Sequence, residues 1–181
     1  MIERHEMTEE QLREAPDAEV IFGLLSREVF LVSRSLRWFQ FVGIGFDLVV
    51  MKIPEIIESE VVMTNMRETH VIPMADHVFA MILAFAHRVP ELIEDQRAHL
   101  WDQEKYHRRM IELPGTTMGI VAVGDIGSAV AKRAQGFDMN VYAVDIRPMA
   151  PPSGVREVWG MEKLDDLIAV SDWLVVTAPL T

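Results

Sequence analysis

Apolar positions recur along this chain with two different periods, and the switch between them divides it. Up to about residue 70 they come in short runs between turn residues. Residues 19–25 read as a buried strand ending near Gly23, 26–35 as a helical connection, and 36–42, with Trp38 and Phe39, as a second strand. That strand stops at Gly43-Ile44-Gly45-Phe46-Asp47, which has turn chemistry. A polar helical lead-in at 8–15, a short helix at 52–58 and a strand at 61–64 complete an alternation of strand and helix, as in parallel α/β folds. From Pro73 the spacing becomes helical. Met74, Val78, Met81, Ile82, Phe85 and Val89 trace one face, while Ala75, Phe79, Leu83 and Ala86 make the opposite face apolar too. A helix apolar nearly all round is expected to be buried on two sides, between two domains. Residues 91–109 are charged and carry Trp101 and Tyr106, which leaves a solvated connector and an interface arm as equal readings.

The densest information lies at 116–145. An apolar strand, 118–123, runs into Gly124-Asp125-Ile126-Gly127, then a helical stretch at 128–135, a stop at Gly136 and a second strand at 140–144 that ends on Asp145. Strand, glycine turn, helix, strand and acid is the order a dinucleotide site requires. Glycine at 124 lets backbone approach a pyrophosphate, and glycine at 127 lets the helix pack close to the strand. The helix-start amides of Gly124, Asp125, Ile126 and Gly127 then face the phosphates. Asp145 is placed to accept hydrogen bonds from the adenosine ribose and to repel the extra phosphate of NADP, so NAD is the expected cofactor; Arg147 leaves NADP a smaller share. Ala122 replaces the first glycine of the fingerprint, and the tight turn is expected to survive with Ala122 at negative φ.

Half of the residues are hydrophobic, enough for a real core, and there is no cysteine, which removes disulfides, thiolate metal sites and cysteine nucleophiles. A formal charge of −11 without a basic run argues against nucleic acid. Neither a secretory leader nor an uncharged run of membrane-spanning length is visible, so a cytoplasmic protein is expected.

With the loop at 43–47 and the glycine turn both in view, the chain resembles the D-isomer-specific 2-hydroxyacid dehydrogenases over about residues 18–181. Leu36-Arg37-Trp38 leading to 43–47 is similar to that family's substrate loop, with Ile44 where alanine is usual. Val62-Met63-Thr64-Asn65 is similar to its strand end facing the nicotinamide, which makes Met66 a candidate cofactor contact. Ala75-Asp76-His77 is similar to its Ala-Glu-His. Glu112-Leu113-Pro114-Gly115 and Met118-Gly119-Ile120-Val121 are similar to the entry of its cofactor domain, and Ala178-Pro179-Leu180-Thr181 to its fourth cofactor-domain strand end. The resemblance implies a partial flavodoxin-like substrate domain at 1–72, an interdomain helix at 73–98 and the first half of a Rossmann domain at 99–181, with a cleft between the domains. It implies a carboxylate held by the amides of Gly43, Ile44 and Gly45. NAD is then held by Met66, 124–127, Asp145, Ala178 and Pro179. The family's catalytic arginine, acid and histidine are expected beyond Thr181, so no residue here is assigned to them. A homodimer and a small 2-oxo or 2-hydroxy acid are the expected partners, with substrate choice made around Leu24, Leu25 and Ile44.

Other readings compete with parts of this one. His70, Asp76 and His77 form a tempting metal cluster, but Pro73 starts the helix after His70, and no metal is assigned. His77 beside a carboxylate has the chemistry of a base, although the resemblance makes it a packing residue at the hinge. His5, His87, His99 and His107 read as surface, and Met74 and Met81 as core filling. From other classes come a dinucleotide-sensing binder on the same fold, as in transcriptional corepressors, and a chain too incomplete to fold stably.

Overall fold

Parallel strands with helical connections run through both parts of the computed structural model, which describes residues 9–178. The described residues up to Thr69 form one compact unit and His70–Ala178 a second.

The first unit begins with α1 (Glu9–Glu14) and a 3-10 turn (Ala15–Asp17), then β1 (Val20–Gly23), α2 (Arg27–Val32), β2 (Trp38–Phe41), α3 (Asp47–Lys52), a second 3-10 turn (Pro54–Glu58) and β3 (Val62–Thr64). Ser26 caps α2, its hydroxyl accepting from the Val29 amide at 3.2 Å. The strands pair in parallel in the order β1-β2-β3, with Trp38 opposite both Val20 and Val62. That register sends Ile21, Phe39 and Met63 to one face, where they pack with Val49, Ile53 and Ile56. The other face carries Val20, Phe22, Trp38 and Val62, all substantially exposed, so the strands are half-buried rather than fully buried as their apolar runs imply. The helix expected at 52–58 instead starts at Asp47. Pro54 cannot continue it and opens the 3-10 turn.

The second unit opens with α4 (Val71–Ala86), α5 (Val89–Arg97) and α6 (Glu104–His107). Pro73 lies in the first turn of α4, where its missing N–H costs nothing. Arg88, in the left-handed region at φ 54°, breaks α4 from α5, and the two are bent by 62°. Next come β4 (Thr117–Val121), α7 (Asp125–Gln135), β5 (Asn140–Val144), β6 (Glu157–Trp159), a 3-10 turn (Met161–Lys163), α8 (Leu164–Val170) and β7 (Trp173–Val176). The sheet is parallel throughout in the order β6-β5-β4-β7, so the strand order reverses at β4. Its core joins Met118, Ile120, Val141 and Ala143 of the sheet to Val130 and Ala134 of α7 and to Ala75, Phe79, Ile82 and Ala86 of α4. The buried face of α4 is therefore the alanine-rich one. Met74, Met81 and Phe85 of the expected stripe are exposed, because small residues let α4 approach α7 closely while the methionines stand off the contact. Among the described residues no single helix is long and apolar enough to cross a membrane.

Candidate functional site

The dinucleotide turn is built by the geometry around three residues, 122–124, between β4 and α7. β4 ends at Val121, and α7 begins at Asp125, three residues earlier than the sequence pattern implies. Ala122 lies at φ +71°, contrary to the expected negative φ. The turn has the left-handed shape that glycine adopts freely, and the alanine is held in it. Three bonds hold it: the Ala122 amide donates to Val144 O at 2.8 Å, and its carbonyl accepts from Thr177 Oγ1 at 2.6 Å, while the next amide, Val123, donates to Asp145 Oδ2 at 2.9 Å. The two glycines then have different jobs. A Cβ on Gly127 would lie 2.5 Å from the Ala122 carbonyl oxygen and 2.9 Å from Thr177 Oγ1, so Gly127 is required by packing within the chain. A Cβ on Gly124 would meet nothing within 4 Å. The space over Gly124 is open where a pyrophosphate approaches a helix start, so these residues fit the group. Asp125 contributes backbone at the exposed first turn of α7, whereas the Ile126 side chain packs against the core.

Asp145 follows β5 and is 4% exposed. Burial pushes its carboxyl up, but the amides of Arg147 and Val123, followed by the Arg147 guanidinium, outweigh burial and hold it below the usual aspartate range. Oδ1 accepts from the Arg147 amide at 2.9 Å and lies 3.4 Å from Arg147 Nε. A cavity of about 590 Å³ beside it is lined by Asp145, Ile146, Arg147, Trp159 and Gly160. Thr177 was not visible from sequence: only the parallel register, which pairs Val121 with Val176, sets it against Ala122. Ala178 follows it, and Pro179 lies outside the described residues.

In the first unit the loop 43–45 leaves the C-terminal end of β2. The Phe41 ring fills the space where a Cβ on Gly43 would sit, and it lies tilted against Phe39 and Phe46. The end of β3 ties the loop down: the Met66 amide donates to Gly43 O at 3.1 Å, and Asn65 Nδ2 donates to Ile44 O. Met66 is thus joined to the loop at 43–45. The amides of Gly43, Ile44 and Gly45 have no acceptor among the described residues.

The remaining candidates fall elsewhere. Asp76 pairs with Arg133 Nε at 2.6 Å, joining α4 to α7, and His77 is exposed beside it. No group of three ligand-type side chains able to hold a metal occurs among the described residues. Of the two aromatics at 91–109, Tyr106 is buried, its hydroxyl donating to Asp95 at 2.5 Å while Lys105 Nζ binds the same carboxylate at 2.8 and 2.9 Å. Lys105 and then Tyr106 hold the Asp95 carboxyl below its ordinary range. Trp101, in contrast, is 87% exposed.

Comparison with known proteins bears on both units. The chain is 31% identical over 180 residues to the D-3-phosphoglycerate dehydrogenase of Archaeoglobus fulgidus, covering 96% of this chain and 33% of that one. It is 30% identical over 190 residues to the glyoxylate reductase of Thermococcus kodakarensis, covering 99% and 56%. The chain thus spans from a third to just over half of the length of these relatives. The solved structure of a D-isomer specific 2-hydroxyacid dehydrogenase family protein from Aeromonas salmonicida superposes with a TM-score of 0.82 at 22% identity, over 95% of this chain and 54% of that one. The D-lactate dehydrogenase of Aquifex aeolicus, solved with NAD and lactic acid, gives 0.77 at 24% identity, over 93% and 50%. Residues 79–181, which include the whole of the Ala122–Gly127 turn and Asp145, match the family model described as D-isomer specific 2-hydroxyacid dehydrogenase, NAD binding domain. With the strand, turn, helix and acid arranged as that domain needs them, the chain belongs to the D-isomer specific 2-hydroxyacid dehydrogenase family.

Proposed function

We propose that this chain is the binding half of an NAD-dependent dehydrogenase that interconverts a small 2-hydroxy acid and its 2-oxo acid. The observation that carries the reading is the buried Asp145 carboxylate locked to the Val123 amide beneath an open glycine turn. Gly124, Asp125, Ile126 and Gly127 hold the pyrophosphate through backbone, Asp145 faces the ribose, and Ala178 lines the far strand end. Bound NAD supplies the hydride acceptor, and the chain supplies orientation. The amides of Gly43, Ile44 and Gly45 hold the substrate carboxylate, Met66 contacts the nicotinamide, and Leu24, Leu25 and Ile44 shape what fits. A second copy of the chain docks against the 91–109 region, where Trp101 stands clear of its own unit.

Binding and chemistry separate in the test. NADH is expected to bind more tightly than NADPH, and Asp145→Ser to weaken NADH more than NADPH in calorimetric titrations; equal losses would refute the ribose role. NADH oxidation by the 181-residue chain with glyoxylate, pyruvate or hydroxypyruvate is expected to be absent. The oxyanion left by hydride addition needs a positioned acid, worth roughly 10²–10⁴-fold, and a cationic clamp, and no residue in this chain is assigned to either. Turnover abolished by His77→Ala would overturn that assignment.

A further inference from the structure

Resting on the reading of 43–45 as the carboxylate cradle, we infer that Asn65 is its positioning residue, the side chain that keeps consecutive amides of the loop turned toward the substrate. The loop lies between β2 and α3, outside either element, so no ladder or helix fixes its peptide planes. Two hydrogen bonds from the end of β3 do so instead. Met66 N holds the Gly43 carbonyl, and Asn65 Nδ2 holds the Ile44 carbonyl. The described peptides are all trans, and in a trans peptide the N–H points opposite to the preceding C=O. Drawing the carbonyls of 43 and 44 toward β3 therefore turns the amides of Ile44 and Gly45 out on the far side, next to each other. Successive amides on one side form a concave anion site.

The two bonds are not equivalent. The bond from Met66 is backbone to backbone and survives any side chain at 66. The bond to Ile44 exists only while residue 65 carries a side-chain donor of the right reach. It is also the one that matters most, because the peptide it fixes ends in glycine. Gly45 has no Cβ to resist a change of φ, so the 44–45 peptide, once released, flips readily and presents a carbonyl oxygen where the carboxylate should sit. The Asp47 carboxylate folds back beside Gly45, its Oδ2 2.9 Å from where a Cβ would be. An anion in the cradle binds close to a like charge and depends on both amides being held. Asn65 thus acts through the loop and touches neither substrate nor cofactor.

The experiment titrates oxamate into the isotopically labelled 181-residue chain saturated with NADH, following the backbone amide resonances of Ile44 and Gly45. In the wild type both resonances are expected to shift. Asn65→Leu, a neutral side chain of similar size without a donor, is expected to weaken oxamate about tenfold, as for one lost hydrogen bond to a charged site's support, with NADH affinity unchanged. Asn65→Gln, which keeps the donor, should recover part of the loss. A variant-free measurement stands beside these: oxamate is expected to slow solvent exchange of the Asn65 side-chain amide protons, since binding and positioning are reciprocally coupled. If wild-type Ile44 and Gly45 shift but Asn65→Leu binds oxamate equally well, or side-chain exchange is unaltered, the positioning role is overturned while the cradle stands. If neither Ile44 nor Gly45 responds in the wild type, the cradle itself is wrong and the role of Asn65 falls with it.

Discussion

Replacing Ala122 with glycine tests the shape of the dinucleotide turn by the sign of a single number. At φ +71° an alanine Cβ crowds the backbone, which costs about 1–2 kcal/mol relative to the right-handed or extended regions. Glycine removes that cost but gives the unfolded chain more freedom, worth about 0.4–1 kcal/mol in the opposite direction. The three bonds that hold the turn are untouched: the Ala122 amide to Val144, its carbonyl to Thr177 Oγ1 and the Val123 amide to Asp145 all use main-chain atoms at 122–123. The net expectation is a gain of about 0.5–1 kcal/mol, which for a chain of this size raises Tm by about 1–4 °C. The assay is thermal unfolding of the 181-residue chain by circular dichroism, wild type against Ala122→Gly, with an NADH titration on each. Were Ala122 instead at negative φ, the glycine would destabilise by about 0.5–1 kcal/mol and Tm would fall. A fall therefore refutes the left-handed turn, and a rise accompanied by lost NADH affinity would show that the methyl group contacts the cofactor.

The glycines of the same turn should separate stability from binding. Gly124→Ala is expected to leave stability within about 0.5 kcal/mol yet lower NADH affinity at least tenfold in fluorescence titrations; unchanged affinity would mean that no pyrophosphate approaches residue 124. Gly127→Ala forces a Cβ against the Ala122 carbonyl and should cost roughly 1–3 kcal/mol in denaturant unfolding, so a neutral result would refute the close packing of α7 on β4. Asp145 gives a pH dependence. Its carboxyl is held low in the folded chain, so the stability it contributes is present above the unfolded value of about 3.9 and is lost as pH falls through the lower folded value. Asp145→Asn should lower stability at pH 7 by about 1–3 kcal/mol and flatten the acid limb below pH 4. Parallel acid limbs for the two proteins in urea titrations would show that Asp145 does not carry it.

Local patterns determined much of this protein. The apolar strand at β4, the glycines at 124 and 127, the helix that follows and the acid closing β5 are contiguous, so periodicity and turn chemistry place them without any tertiary contact. The helix start near Pro73 is likewise a property of a single residue. Burial and long-range pairing were not legible. The helix from Val71 is apolar on both sides, and which side faces inward depends on α7, whose own small residues accept Ala75, Phe79 and Ala86 rather than the methionines. Thr177 reaches Ala122 across 55 positions of sequence, and Asn65 reaches Ile44 across 21, through strand registers that no local pattern states. The left-handed Ala122 is of the same kind. Alanine disfavours that conformation, and hydrogen bonds to Val144 of β5, from Thr177 just after β7 and to the buried Asp145 hold it there.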